Sequence, residues 1–293
     1  MILAIGALAL LAAPGPGISW TRDYGKAFAA AEEGRRPLLL FFRENCGGGN
    51  RPQNPIAAEG PIEHQEGLSS CDLMQHDVWE HESVIAAAGR FAPVVVDGGD
   101  QTLQVRYQVV RTPTTLVADP WGNEMLRVSG YYERARMLRL LGAVPVEFSE
   151  LAASAKLLQA NPTDFGALTG AAAFYQAQRL PQVVERLYGL AFNAPRGSVP
   201  VQTWRQAVIA RGLNLLTGLN DPGAAANLFM AEWKAGPADA GSDALLLGVV
   251  NARLTQGKRA EAEAAVKLLE EKHPGSPYTV RARENLAARP AGS

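Results

Sequence analysis

Cysteine is scarce in this chain: 293 residues contain two, Cys46 and Cys71. Neither follows the apolar N-terminal stretch directly, which leaves a lipid-anchored lipoprotein without support. An excess of one charge sign is also lacking. The formal net charge is −1, and the lysines and arginines are scattered, with no basic stripe and no interleaved aromatics. The electrostatic footprint of a nucleic-acid-binding protein is therefore missing, and no nucleic-acid partner is expected. The apolar run Met1–Ala13 is thirteen residues long, too short to span a bilayer, so no stable membrane span is expected in the mature chain. There is no Gly-rich phosphate loop and no Gly-X-Ser-X-Gly elbow, and no cofactor is expected.

What the chain does have is length for two separate cores and a composition, 47% hydrophobic and 19% charged, that suits a soluble globular protein. Met1–Ala13 has the size and small-residue character of a secretory h-region, and Pro14-Gly15-Pro16-Gly17 breaks it before the folded part begins. Residues 1–17 are expected to be a signal peptide and linker, with a periplasmic or secreted destination. The alternative is an apolar N-terminal strand or helix of the mature protein, which the lack of a Lys/Arg n-region favours. Export would put both cysteines where pairing is the default.

The central feature is Pro37-Leu38-Leu39-Leu40-Phe41-Phe42-Arg43-Glu44-Asn45-Cys46, a short apolar run that reads as a buried strand delivering a cysteine to the edge of a sheet. Ahead of it, Trp20, Tyr24, Ala27, Phe28 and Ala31 mark one face of a helix over 18–34. After it, residues 47–70 are rich in Gly, Pro, Asn, Gln and Glu and read as an unusually long loop. A second helix is expected from Cys71 to about Ala88, with Ser69 or Ser70 as N-cap, Asp72 in the first turn, and Leu73, Val78, Trp79, Val84 and Ile85 buried. Phe91–Asp97 reads as a strand and Leu103–Tyr107 as a short helix. A hairpin follows over 115–128 around Asp119-Pro120-Trp121-Gly122-Asn123, with a last helix over 133–142. The order predicts an α/β sandwich.

After Pro145 the strand signals vanish. Alanine-rich helical segments are expected near 147–160, 163–178, 181–193, 200–218, 222–235, 242–256, 259–273 and 276–288, separated by Pro, Gly and Asn breaks. Pro195, Pro237 and Pro274 taken as equivalent ends give periods of 42 and 37 residues, near those of helical-hairpin repeats. Trp204, Phe229 and Trp233 are expected in that core.

Residues Trp20 to Gly142 resemble the thioredoxin-like superfamily. The resemblance rests on Pro37–Cys46, on Cys71-Asp72-Leu73-Met74-Gln75-His76-Asp77-Val78-Trp79 with Val84, on Val95-Val96-Asp97, on Thr112-Pro113-Thr114, and on Gly122 and Gly130. It implies a cis-proline at Pro113 that, with Thr112, lies against the cysteine pair and presents substrate backbone. Three departures stand out. The family's Cys-X-X-Cys is opened by 24 residues between Cys46 and Cys71. Asn45 stands where a tryptophan is common, and Leu40 where many members keep a buried carboxylate that assists proton transfer. The later segments resemble tetratricopeptide-type hairpins, through Ala171, Phe174, Val183, Leu187 and Pro195, then Leu213, Leu216, Ala225, Phe229 and Pro237, then Gly257, Ala262, Val266, Leu269 and Pro274.

Three readings of the cysteines stay open. Cys46 and Cys71 form a structural disulfide that clips the inserted loop. Alternatively they exchange disulfides, with Cys71 favoured as a thiolate at a helix N-terminus and attacking a partner. In the third reading they are inert free thiols. Cys71, His76 and His81, with His64 upstream, are the candidate metal ligands. At about 100° per residue, His76 and His81 turn about 140° and 280° from Cys71, so the three cannot converge from one helix, and no metal is expected. Asp77 and His81 at i, i+4 are expected to pair. The expectation is thus an exported thioredoxin-like domain over 18–143 with a helical-repeat domain over 147–288 that takes a protein or peptide partner. The rival is a non-enzymatic adaptor whose bridge is structural.

Overall fold

The computed structural model describes residues 17–44, 69–236 and 241–289. The expected signal peptide up to residue 16, most of the expected loop with Cys46 and His64, and Pro237 lie outside the described residues. The chain divides into two compact units between Ser149 and Glu150.

In the first unit an extended segment at Thr21 bridges Val94, and α1 (Tyr24–Gly34) starts only after it, with Asp23 as N-cap accepting from the Lys26 amide. Trp20 is therefore not on the helix, as its spacing suggested. It packs against Phe41 and Trp79, with ring centroids 5.8 and 5.4 Å away. Strand pairing, which no periodicity reveals, claims this segment first.

The sheet contains β1 (Leu38–Arg43), β2 (Ala92–Asp97), β3 (Thr114–Ala118) and β4 (Glu124–Ser129) in the order β2-β1-β3-β4. β1 runs parallel to β2 and antiparallel to β3, and β3 is antiparallel to β4. Both faces of β1 are covered, by α1 on one side and by Trp20 and Trp79 on the other, which is why its first five residues are all buried. Leu38, Leu40 and Phe42 join Ala27, Ala31, Val94, Val96, Leu116 and Leu103 of α4 (Gln101–Arg106) in one core layer. Phe41 faces the other way, toward Trp79.

Between β1 and β2 the expected single helix is three pieces: α2 (Ser70–Leu73), a wide π-turn (Met74–Trp79) and α3 (Glu82–Ala88). The break falls at His81, which is extended and caps α3 by accepting from the Ser83 amide. The wide turn also moves the buried face, so Met74 rather than Leu73 is fully buried. The β3–β4 turn is built on Asp119, whose Oδ1 accepts from the Trp121 and Asn123 amides, with Gly122 at φ +82°. α5 (Arg134–Ala143) completes the unit.

The second unit is helical throughout its described residues: α6 (Ala152–Ala160), α7 (Phe165–Ala177), α8 (Pro181–Ala191), α9 (Val201–Leu213), α10 (Pro222–Ala235), α11 (Ser242–Thr255), α12 (Arg259–Lys272) and α13 (Pro277–Ala288). Proline opens α8, α10 and α13, where its missing N–H and fixed φ carry no penalty. Asp164, Asp221 and Ser276 cap α7, α10 and α13 through their side chains. A second π-turn, Asn214–Gly218, extends α9 and shifts its face. Leu213, expected among the repeat's packing residues, is exposed and Leu215 is buried instead. Trp204 and Phe229 are in the core as expected, while Trp233 is half-buried. Among the described residues no helix is long and apolar enough to cross a membrane.

Candidate functional site

The site is assembled at one end of the sheet. β1 ends at Arg43, whose Nε donates to Asp97 Oδ1 at 2.9 Å, while Arg22 Nε donates to Asp97 Oδ2 at 2.6 Å. Burial pushes the Asp97 carboxyl up, but the two guanidinium hydrogen bonds and charges outweigh it and hold the group below its ordinary value. The same end of β1 pairs Phe42 with Thr114, the first residue of β3, and Thr112-Pro113 immediately before it is a cis peptide. Pro113 is buried, Thr112 half-buried.

Cys71 lies in the first turn of α2, where Ser69 and Asp72 form a capping box. The Asp72 amide donates to Ser69 Oγ, and the Ser69 amide and hydroxyl donate to Asp72 Oδ2 at 3.1 and 2.7 Å. The residue is only 5% exposed, and no cysteine is a free thiol among the described residues. Cys46 lies outside them.

The Cys71 helix and Pro113 are tied together through the end of β4. The Gly130 amide donates to the Pro113 carbonyl at 2.7 Å. The next two residues reach the π-turn: Tyr131 Oη donates to Asp77 Oδ2 at 2.6 Å, and the Tyr132 amide donates to Met74 Sδ at 3.2 Å. Arg134 adds an ion pair to Asp77 Oδ1 at 3.6 Å. Burial, then the hydrogen bond to the Asp77 carboxylate, raises the Tyr131 hydroxyl well above the ordinary phenol value. Asp77 thus does not pair with His81, as its spacing suggested. It is buried, whereas His81 turns away to Ser83. His76 instead pairs with Glu80, Nδ1 to Oε2 at 3.2 Å. An aspartate set directly before Val78-Trp79 was the one local sign that a distant partner awaited it.

Residues 25–145 match the family model described as a thioredoxin-like domain. The first unit is a thioredoxin-like domain. A solved chain titled DsbH Oxidoreductase is 17% identical, covering 41% of this chain and 76% of its own, with a TM-score of 0.31. A likeness of that degree carries no inference about chemistry. No curated protein matches.

Within this thioredoxin-like domain the departures seen in the sequence have a physical setting. Leu40 is fully buried in the all-apolar layer beneath α1 and α4. That layer would penalise an ionised carboxylate unless it were paired. Tyr131 and Tyr132 are the link between the β4 end and the Cys71 helix. Trp121 is buried in the hairpin.

Proposed function

We propose that the thioredoxin-like domain exchanges thiols and disulfides through Cys46 and Cys71, in an exported chain whose helical unit holds a protein or peptide partner. The observation that carries this reading is Cys71, with no free thiol, opening the helix that Gly130, Tyr131 and Tyr132 tie to Pro113. Cys71 was expected to be the attacking sulfur. Its burial favours the opposite assignment, since a sealed sulfur cannot meet a partner disulfide in line. Cys46 thiolate therefore attacks one sulfur of the partner disulfide, a Cys46–partner bond forms, and the partner's other sulfur leaves as thiolate. Cys71 thiolate then attacks Cys46, closing the Cys46–Cys71 bond and releasing the second partner thiolate. Two electrons pass to the partner, and a dithiol reductant restores the domain. Thr112 and Pro113 position the substrate backbone. The helices of the second unit, in tetratricopeptide-type hairpins, offer the partner surface.

The test is turnover of a protein disulfide with a dithiol reductant. Cys71→Ser is expected to abolish turnover and to accumulate a mixed disulfide on Cys46, whereas Cys46→Ser accumulates none. Unchanged turnover in Cys71→Ser removes the reading. N-terminal sequencing of the mature protein tests export.

One observation favours a second reading, a structural bridge in a non-enzymatic adaptor: Leu40 is sealed where exchange chemistry would use a carboxylate. In that case the pair resists reduction, with a potential below about −300 mV. Either cysteine variant then loses about 3.5 kcal/mol of stability on the chain-entropy model while partner binding persists.

A further inference from the structure

The chain between α4 and Pro113 presents side chains that the fold does not use. Gln108 adopts a left-handed backbone conformation, φ +50°, and turns the chain out of α4. Val109 returns to the core, its amide donating to the Gln104 carbonyl at 2.8 Å. Val110 is then 93% exposed, the most exposed large apolar side chain among the described residues, and Val105 on α4 is 75% exposed. The loop is held from behind: Thr114 Oγ1 donates to the Arg111 carbonyl at 2.8 Å, and Arg127 Nη1 donates to the Gln108 carbonyl. Arg111 is exposed and makes no ion pair among the described residues. Its cationic neighbours differ, for Arg127 is neutralised by Glu124 and Arg106 lies over the rings of Phe28 and Tyr107. A fixed loop thus displays an apolar side chain and an uncompensated cation just ahead of Pro113.

We propose that Val110 and Arg111 form a recognition surface for an extended polypeptide carrying an acidic residue next to an apolar one. This rests on the exchange reading for its purpose, since it names the class of protein substrate offered to the cysteine pair. The chemistry is direct. Val110 loses its water against an apolar side chain of the partner, and Arg111 supplies the charge that selects carboxylate over ammonium.

Binding to the oxidised full-length protein, followed by fluorescence anisotropy, separates this from exchange when the probes contain no cysteine. The probes are a short labelled peptide with a leucine between two glutamates and its counterpart with lysines in place of the glutamates. At low salt the acidic peptide is expected to bind about fivefold more tightly, the scale of one exposed charge pair. Arg111→Glu is expected to reverse that order. Val110→Ser is expected to weaken both peptides about tenfold, the scale of burying one valine. Equal binding of the two peptides, or an unchanged preference in Arg111→Glu, overturns the proposal. Exchange turnover is measured separately, so a failure of turnover with the preference intact sinks the exchange reading alone. Both side chains are exposed and make no hydrogen bond among the described residues, and circular dichroism verifies that the variants fold.

Discussion

The Tyr131 hydroxyl donates to the Asp77 carboxylate over 2.6 Å, joining residues 54 positions apart. It fastens the residue after Gly130 to the helix that Cys71 opens. Tyr131→Phe keeps the ring and removes the donor, so a loss of about 1.5 kcal/mol is expected. Asp77→Ala should cost more, about 3 kcal/mol, because Arg134 and Tyr131 both lose their acceptor. Urea unfolding checks both through a lower midpoint at unchanged slope.

Tyr107 gives a pH-dependent counterpart. Its hydroxyl donates to the Gly122 carbonyl at 2.8 Å, and burial, aided by the nearby Asp119 and Glu124 charges and opposed by Arg106, pushes its pKa up to about 12 from 10.0. The folded protein holds this proton more tightly than the unfolded chain. The contribution to stability is therefore whole below pH 10 and is lost as pH rises from 10 through about 12. Ultraviolet titration of phenolate at pH 11 should find Tyr107 still protonated, and Tyr107→Phe should flatten that part of the stability profile.

In the helical unit Glu232 stands between two arginines. It accepts from Arg196 Nη2 at 2.6 Å and from Trp204 Nε1 at 3.2 Å, with Arg205 Nε 3.8 Å away and Arg205 only 2% exposed. Glu232→Ala removes the acceptor of Arg196 and Trp204 and one carboxylate charge beside the buried Arg205. A loss of about 3–5 kcal/mol is expected, read as a fall in the thermal midpoint of the helical unit. An unchanged midpoint would mean that Arg205 is compensated elsewhere.

Phe229 of α10 sits between Gly212 of α9 and Gly248 of α11, and a Cβ at either glycine would overlap its ring. Gly212→Ala gains about 1 kcal/mol of helix propensity. Overpacking opposes that with about 1–3 kcal/mol, so net destabilisation is expected. The double variant with Phe229→Leu should recover part of it, and a double-mutant cycle by chemical denaturation measures the coupling.

These four relationships also mark how far the sequence reaches. The starts of α8, α10 and α13 are legible because a proline at the first helical position, joined in α10 and α13 by a short polar cap before it, acts within one turn of backbone. β1 is legible because a strand buried on both faces must be apolar at every position, and the Thr112-Pro113 cis bond was implied by the thioredoxin-like resemblance. The segment after Cys71 reads as one helix because apolar spacing says nothing of a widened turn or of a histidine that caps the next helix. The spacing of Trp20 fits α1, although pairing of Thr21 with Val94 leaves Trp20 on an extended segment.

The sequence by itself determined that a thioredoxin-like sandwich precedes a run of helices, since those choices rest on periodicity and on breakers that act between near neighbours. Only the tertiary structure decided that Asp77 meets Tyr131, that Glu232 serves Arg196 and Arg205, and that Val110 and Arg111 stand out ahead of Pro113. Each of those depends on which distant segments the fold brings within a few ångströms, or leaves uncovered, and no local rule of the backbone carries that information.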